Sequence, residues 1–88
     1  MEDTVIKASA SSSVAAVAGA IAGAVRQNGK AEIQVIGAGA LNQAMKAVIV
    51  SRGFLAPEGI EIYCIPSFAE TEIGGEARTA IRLLIESR

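Results

Sequence analysis

The sequence predicts a two-layer α/β domain with the order β-α-β-α-β-β, its two helices lying on one face of a mixed four-stranded sheet. Three observations carry that expectation. Ala31 to Phe54 reads as one strand–turn–helix unit: a β-rich apolar run, the tight turn Gly37-Ala38-Gly39, then Leu41, Ala44, Met45, Val48 and Ile49 at helical spacing. A second helical stripe, Val14, Val17, Ala18, Ile21, Ala22 and Val25, follows a short β-like stretch. The C-terminal third alternates with period two, through Ile60, Ile62 and Cys64 and then Thr79, Ile81, Leu83 and Ile85. Strand–helix–strand units give parallel, right-handed crossovers, and the final hairpin adds an antiparallel strand.

Taken in order, Thr4 to Ala8 is the first strand. The polar segment Ser9 to Ser13 leads into the first helix, with Ser13 or Ser12 as N-cap, because a serine hydroxyl accepts a bond from a free amide of the first turn. Asn28-Gly29 closes that helix. Gly19 and Gly23 share one side of it, and two costly glycines there suggest a backbone approaching closely, its own sheet before a partner helix. The second strand is Ala31 to Ile36 and the second helix Ala40 to Arg52, stopped by Gly53. Pro57-Glu58-Gly59 is a turn. Ile60 to Ile65 is the third strand, ended by Pro66, and Ser67 to Glu76 is a loop with Gly74-Gly75 at its tip. The expected core is Val14, Val17, Ile21, Ile33, Val35, Leu41, Met45, Ile62, Cys64, Ile81 and Leu83. The face without helices shows Val5, Lys7, Glu32, Gln34, Glu61, Tyr63, Arg78, Arg82 and Leu84.

Eighty-eight residues make one domain, 1–88, and a chain this short buries only about 60–65% of its unfolded surface. Apolar residues form 51% of it. With so much apolar surface on so small a body, a homo-oligomer, most simply a dimer, is expected to cover part of it. Eight basic and nine acidic residues leave a net charge of −1, unlike the basic balance of a typical DNA-binding domain. There is no histidine and one cysteine, Cys64, so neither an internal disulfide nor a histidine or multi-thiolate metal site can be built. A reducing cytoplasm suits such a chain. Ala8 to Val25 carries no charge, but its serines leave only Val14 to Val25 apolar, too short to span a membrane. No nucleophile–base pair is visible, so no enzymatic activity and no cofactor are expected. Gly37-Ala-Gly39-Ala-Leu-Asn42 is a near miss to a dinucleotide fingerprint, with Asn42 where the third glycine belongs, and reads as a plain strand–helix connection.

The block IGAGALNQAMKAV, with IEIYCIPSF and GEARTAIRLLIE after it and KASASSSVAAVAGAIAG before it, resembles the stage V sporulation protein S family along nearly the whole chain. The resemblance implies an Alba-like fold with strand order 1-2-4-3, similar also to the C-terminal domain of bacterial translation initiation factor three. It implies a small bacterial regulatory protein linked to sporulation, in a superfamily that binds DNA or RNA, usually as dimers. Where Alba proteins are basic, this chain is not. The helix entries Ser9–Ser13 and Gly37–Gln43 are uncharged, and the hairpin loop carries Glu70, Glu72 and Glu76 against Arg78.

Two readings of function follow. In the first, the chain binds nucleic acid weakly. The C-terminal ends of the parallel strands share one edge, where two helix starts bring free amides and a partial positive charge. The residues expected there are Ser11, Ser12, Ser13, Gly37, Gly39, Asn42, Lys46 and Arg78, with Lys7 or Arg82 as further cations. In the second, the domain is a protein-interaction or assembly module that has lost the basic surface. Phe68 is either a stacking residue or the anchor of its own loop.

Overall fold

The computed structural model describes residues 5–88; Thr4, the expected start of the first strand, lies outside them. The elements are β1 (Val5–Lys7), α1 (Val14–Asn28), β2 (Lys30–Val35), α2 (Ala38–Leu55), a 3₁₀ turn (Ala56–Glu58), β3 (Ile62–Ile73) and β4 (Glu76–Ser87). They form one sheet in the order β1-β2-β4-β3. β1 runs parallel to β2, while β4 is antiparallel to both β2 and β3. The fold class and strand order are those expected.

Period-two alternation puts Ala31, Ile33 and Val35 of β2 into the core, facing Ile85, Leu83 and Ile81 of β4 in register. α1 covers this side with Val17, Ala18, Ile21, Ala22 and Val25. Ser13 caps it by accepting the Ala16 amide at 3.2 Å, and Gly29, at φ 78°, ends it by donating to the Val25 carbonyl. The opposite sheet face is mixed: Val5, Tyr63, Ile65 and Ile73 are exposed on it beside a chain of polar pairs. Lys7 donates to Gln34 at 2.9 Å, Gln34 donates to Glu32 at 3.0 Å, and Glu32 pairs with Arg82 at 3.1 Å.

Four expectations are corrected. Met45 is not core: it is 37% exposed, and α2 is buried instead through Ala40, Ala44, Ala47, Val48, Ser51 and Leu55. Small side chains let α2 approach its neighbours closely, so the buried stripe follows the alanines and not the larger Met45 and Ile49. Gly53 does not stop α2. It lies in open surroundings, and the helix continues to Leu55, which is fully buried. Burying a leucine gains about 1.5–3 kcal/mol against about 1 kcal/mol for a helical glycine. Pro57 and Gly59 (φ 74°) then finish the turn. Gly19 and Gly23 are not packed on the chain's own sheet, since a Cβ at either would meet nothing within 4 Å. Gly19→Ala is therefore expected to raise stability by about 0.5–1 kcal/mol, read by urea denaturation; a loss would mean that a surface covers this stripe.

The fourth correction is the largest. Pro66 does not end β3, and Ser67 to Glu76 is not a loop. β3 and β4 pair without interruption from Ile62↔Ser87 to Ile73↔Glu76, closed by Gly74 and Gly75 at φ 59° and 83°. Both positive angles suit a tight hairpin turn. Proline is tolerated because of hydrogen-bond phase. Arg88 N donates to the Glu61 carbonyl, so odd-numbered β3 residues face β4 and even-numbered ones face the outer edge. Pro66 falls on the outer edge, where no ladder bond is lost. β2 stops at Val35, opposite Ile81, which pairs with Phe68. Beyond that level the hairpin continues as a two-stranded arm, from Ala69↔Ala80 to its tip, with no further strand on either side among the described residues.

Two more features brace the body. Arg26, in the last turn of α1, holds Glu58 with bonds of 2.6 to 3.0 Å, tying α1 to the 3₁₀ turn. That bond holds the Glu58 carboxyl below its ordinary range. The contribution is present at neutral pH and is lost as pH falls through the folded carboxyl pKa. Cys64 is half-buried against the core, and burial pushes its thiol pKa up, which makes it a small packing residue and a poor nucleophile.

Candidate nucleic-acid interface

The turn before α1 and the turn before α2 meet. A Cβ on Gly39 would lie 2.9 Å from the Ala10 Cβ, so the serine segment rests directly on the first turn of α2. Gln43 Nε2 donates to the Ser12 carbonyl at 3.0 Å and fastens the two together. Sequence reasoning missed both Gln43 and Ala10. Their partners are 31 and 29 residues away in sequence, and neither residue type carries a local signal for such a contact.

Within the serine segment the hydroxyls are largely turned inward. Ser9 N donates to Ser12 Oγ at 2.8 Å, Ser11 N to Ser9 Oγ at 3.3 Å, and Ser9 Oγ lies 3.1 Å from Ser11 Oγ. Ser13 is occupied as the α1 cap. Ser11, Ser12 and Ser13 thus shape the turn first.

α2 begins differently. Gly37, at φ 91° and ψ 158°, supplies no side-chain cap. The amides of Ala38, Gly39 and Ala40 precede the first intrahelical bond, from Leu41 N to the Gly37 carbonyl. Neither helix has an acidic residue in its first turn, and both carry an arginine in the last. The positive ends of both macrodipoles therefore reach this edge without a carboxylate in their own first turns to cancel them.

The cations divide around the serine segment. Asn42 and Lys46, one turn apart, are exposed on the outer face of α2 that also carries Gly39. Lys7 lies on the other side, in an open groove of about 450 Å³ whose walls include Ser9, Ala10, Gln34, Thr71 and Glu72. Arg78 is cross-strand from Thr71 on the arm, so it belongs to the groove side and not with Lys46. Arg82, paired with Glu32, is withdrawn from the edge. The expected site residues are thus brought to one end of the molecule, with Ser11, Ser12, Ser13, Gly37, Gly39, Asn42 and Lys46 on one side and Arg78 and Lys7 across the serine turn.

What this end offers is hydrogen-bond donors and a few exposed cations, groups that can meet an anion. Among the described residues no group of three or more His, Cys, Asp or Glu side chains is placed to hold a metal ion. No described helix is long and apolar enough to cross a membrane. The resemblance seen in IGAGALNQAMKAV extends over the whole fold just described: a family model for stage V sporulation protein S matches residues 4–88, and the chain belongs to the stage V sporulation protein S family.

Proposed function

We propose that this protein is a non-enzymatic, sporulation-related regulator that binds nucleic acid through the phosphate backbone. The observation that carries the reading is the uncapped start of α2, packed on the serine turn beside the start of α1. Its amides can donate to a phosphate whatever the base sequence, and Lys46, Lys7 and Arg78 flank the same end. With so few cations, binding is weak and salt-sensitive, and structured or single-stranded RNA, whose backbone can follow a compact donor edge, suits it better than straight duplex DNA. The acidic arm, bearing Glu70, Glu72 and Glu76, restricts how a duplex can approach.

The test is a salt titration of binding to a duplex DNA and to a structured RNA. Two or three cations engaged in each protomer of a dimer give a log–log slope of about −4 to −5 on duplex. Lys46→Ala is expected to weaken binding and to flatten the slope by about 0.9 for each lysine removed. Absence of binding at about 20 mM salt, where the screening length is roughly 20 Å, would end the nucleic-acid reading and leave a protein-assembly module.

A further inference from the structure

β4 has a strand on both sides along most of its length, but in the arm it has one on only one side. Ser87 N donates to the Gly29 carbonyl, so the odd-numbered residues of β4 turn their amides and carbonyls toward β2, down to Ile81 opposite Val35. Carried further, the same register sets Thr79 opposite Gly37 and Ala77 opposite Gly39, but there the chain has left the sheet to begin α2. The backbone groups of Thr79 and Ala77 therefore point into space that β2 vacates. Both residues are exposed, and among the described residues no backbone group bonds to them on that side. A Cβ on Gly37 would meet nothing within 4 Å, so the surroundings of the departing turn are open. The groove described above begins where β2 ends. Ile36 and Ala80, opposite one another when the register is carried one step past Val35, both line it, with Ala8, Ala10 and Ile73. Charge on the arm is one-sided. It carries Glu70, Glu72 and Glu76 against Arg78, Glu72 lines the groove, and neither Glu72 nor Glu76 has an ion-pair partner among the described residues.

We propose that an extended, basic segment of another protein adds to the arm as a strand, antiparallel to β4, along the line that β2 vacates. Its residues opposite Thr79 and Ala77 would each exchange both backbone bonds with them. An apolar side chain of the segment would enter the groove beside Ile36 and Ile73, and its lysines or arginines would meet Glu72 and Glu76. The outer edge of β3 is a poorer template, since Pro66 has no N–H to donate. Strand addition here is independent of nucleic-acid binding, because Lys46 lies across the serine turn and takes no part in it.

The probe is a short synthetic peptide alternating valine with lysine, blocked at both ends, and the readout is amide hydrogen exchange followed by NMR. In the protein alone, the amides of Ala77 and Thr79 are expected to exchange faster than those of Arg78 and Ala80, which face Thr71 and Ala69 of β3. The peptide is expected to slow exchange at Ala77 and Thr79, and a peptide with glutamate for lysine to bind at least about tenfold more weakly. Thr79→Pro removes one edge N–H and no ladder bond, and is expected to weaken binding at least about tenfold. Thr79→Val also loses the hydroxyl that donates to Glu70, but it keeps the N–H and is expected to bind as the wild type does. Glu72→Lys with Glu76→Lys changes only exposed side chains and is expected to reverse the preference between the two peptides. Unchanged exchange at Ala77 and Thr79 with millimolar peptide, or equal binding of both peptides, would overturn the proposal. So would protection of these amides that rises with protein concentration alone, which would assign the edge to a second copy, or protection by a structured RNA and not by the peptide, which would assign it to nucleic acid.

Discussion

Gly39→Val is expected to destabilise the protein by about 1–3 kcal/mol and to weaken nucleic-acid binding without any change in net charge. The added Cβ would lie 2.9 Å from the Ala10 Cβ and 3.8 Å from the Ala10 Cα. Alanine has no flexible end that could swing aside, so the backbone of the serine turn must move. That turn is held by Ser9 N on Ser12 Oγ, Ser12 N on the Ser9 carbonyl and Gln43 on the Ser12 carbonyl, and a shift strains all three. Valine adds two methyl groups and a β-branched restriction to the same helix start. Gly39→Ala is the milder form, and it makes an internal comparison with Gly19→Ala. Both place the same methyl group on a glycine within a helix, one against Ala10 and the other into open space. Opposite signs in urea denaturation are expected. A stabilising Gly39→Ala would show that the serine turn is not seated on α2, and the donor edge would lose its geometry.

Ile33→Ala is expected to cost about 2–5 kcal/mol. Ile33 is fully buried at the centre of β2, beside Ile6 of β1 and Leu83 of β4, in the same cluster as Ile21 and Ala22 of α1. Much of that cluster is alanine, so few large side chains are available to collapse into the space left behind. A domain of this length has a total stability of only about 4–13 kcal/mol. The variant is therefore expected to lie at the limit of folding at room temperature, seen as a midpoint shift in chemical denaturation with little change in slope. A loss below about 1 kcal/mol, smaller than core truncations give, would contradict β2 as the strand on which both layers are built.

Much of this protein was determined by sequence alone. Local periodicity named both helices and the alternating strands, the Ser13 cap and Gly29 stop bounded α1, and crossover handedness with the terminal hairpin fixed which strands are parallel. The block IGAGALNQAMKAV was enough to point to the family that the match over residues 4–88 establishes. These features depend on residues a few positions apart, and such signals survive in a linear string.

Tertiary structure decided the rest, because the deciding partner was distant in sequence. Pro66 reads as a strand terminator until its missing N–H is known to face the outer edge of the sheet, which depends on the phase of β3 against β4. Gly53 reads as a helix stop until the burial of Leu55 outweighs it. Met45 reads as core until the alanine stripe sets the rotation of α2. At the candidate site, periodicity and topology placed the two helix starts at one end, but only the folded chain set Ala10 on Gly39, tied Gln43 to Ser12, drew Arg82 away to Glu32 and separated Arg78 from Lys46. Single-residue chemistry names the groups that can meet an anion; packing between distant segments decides which of them meet it together.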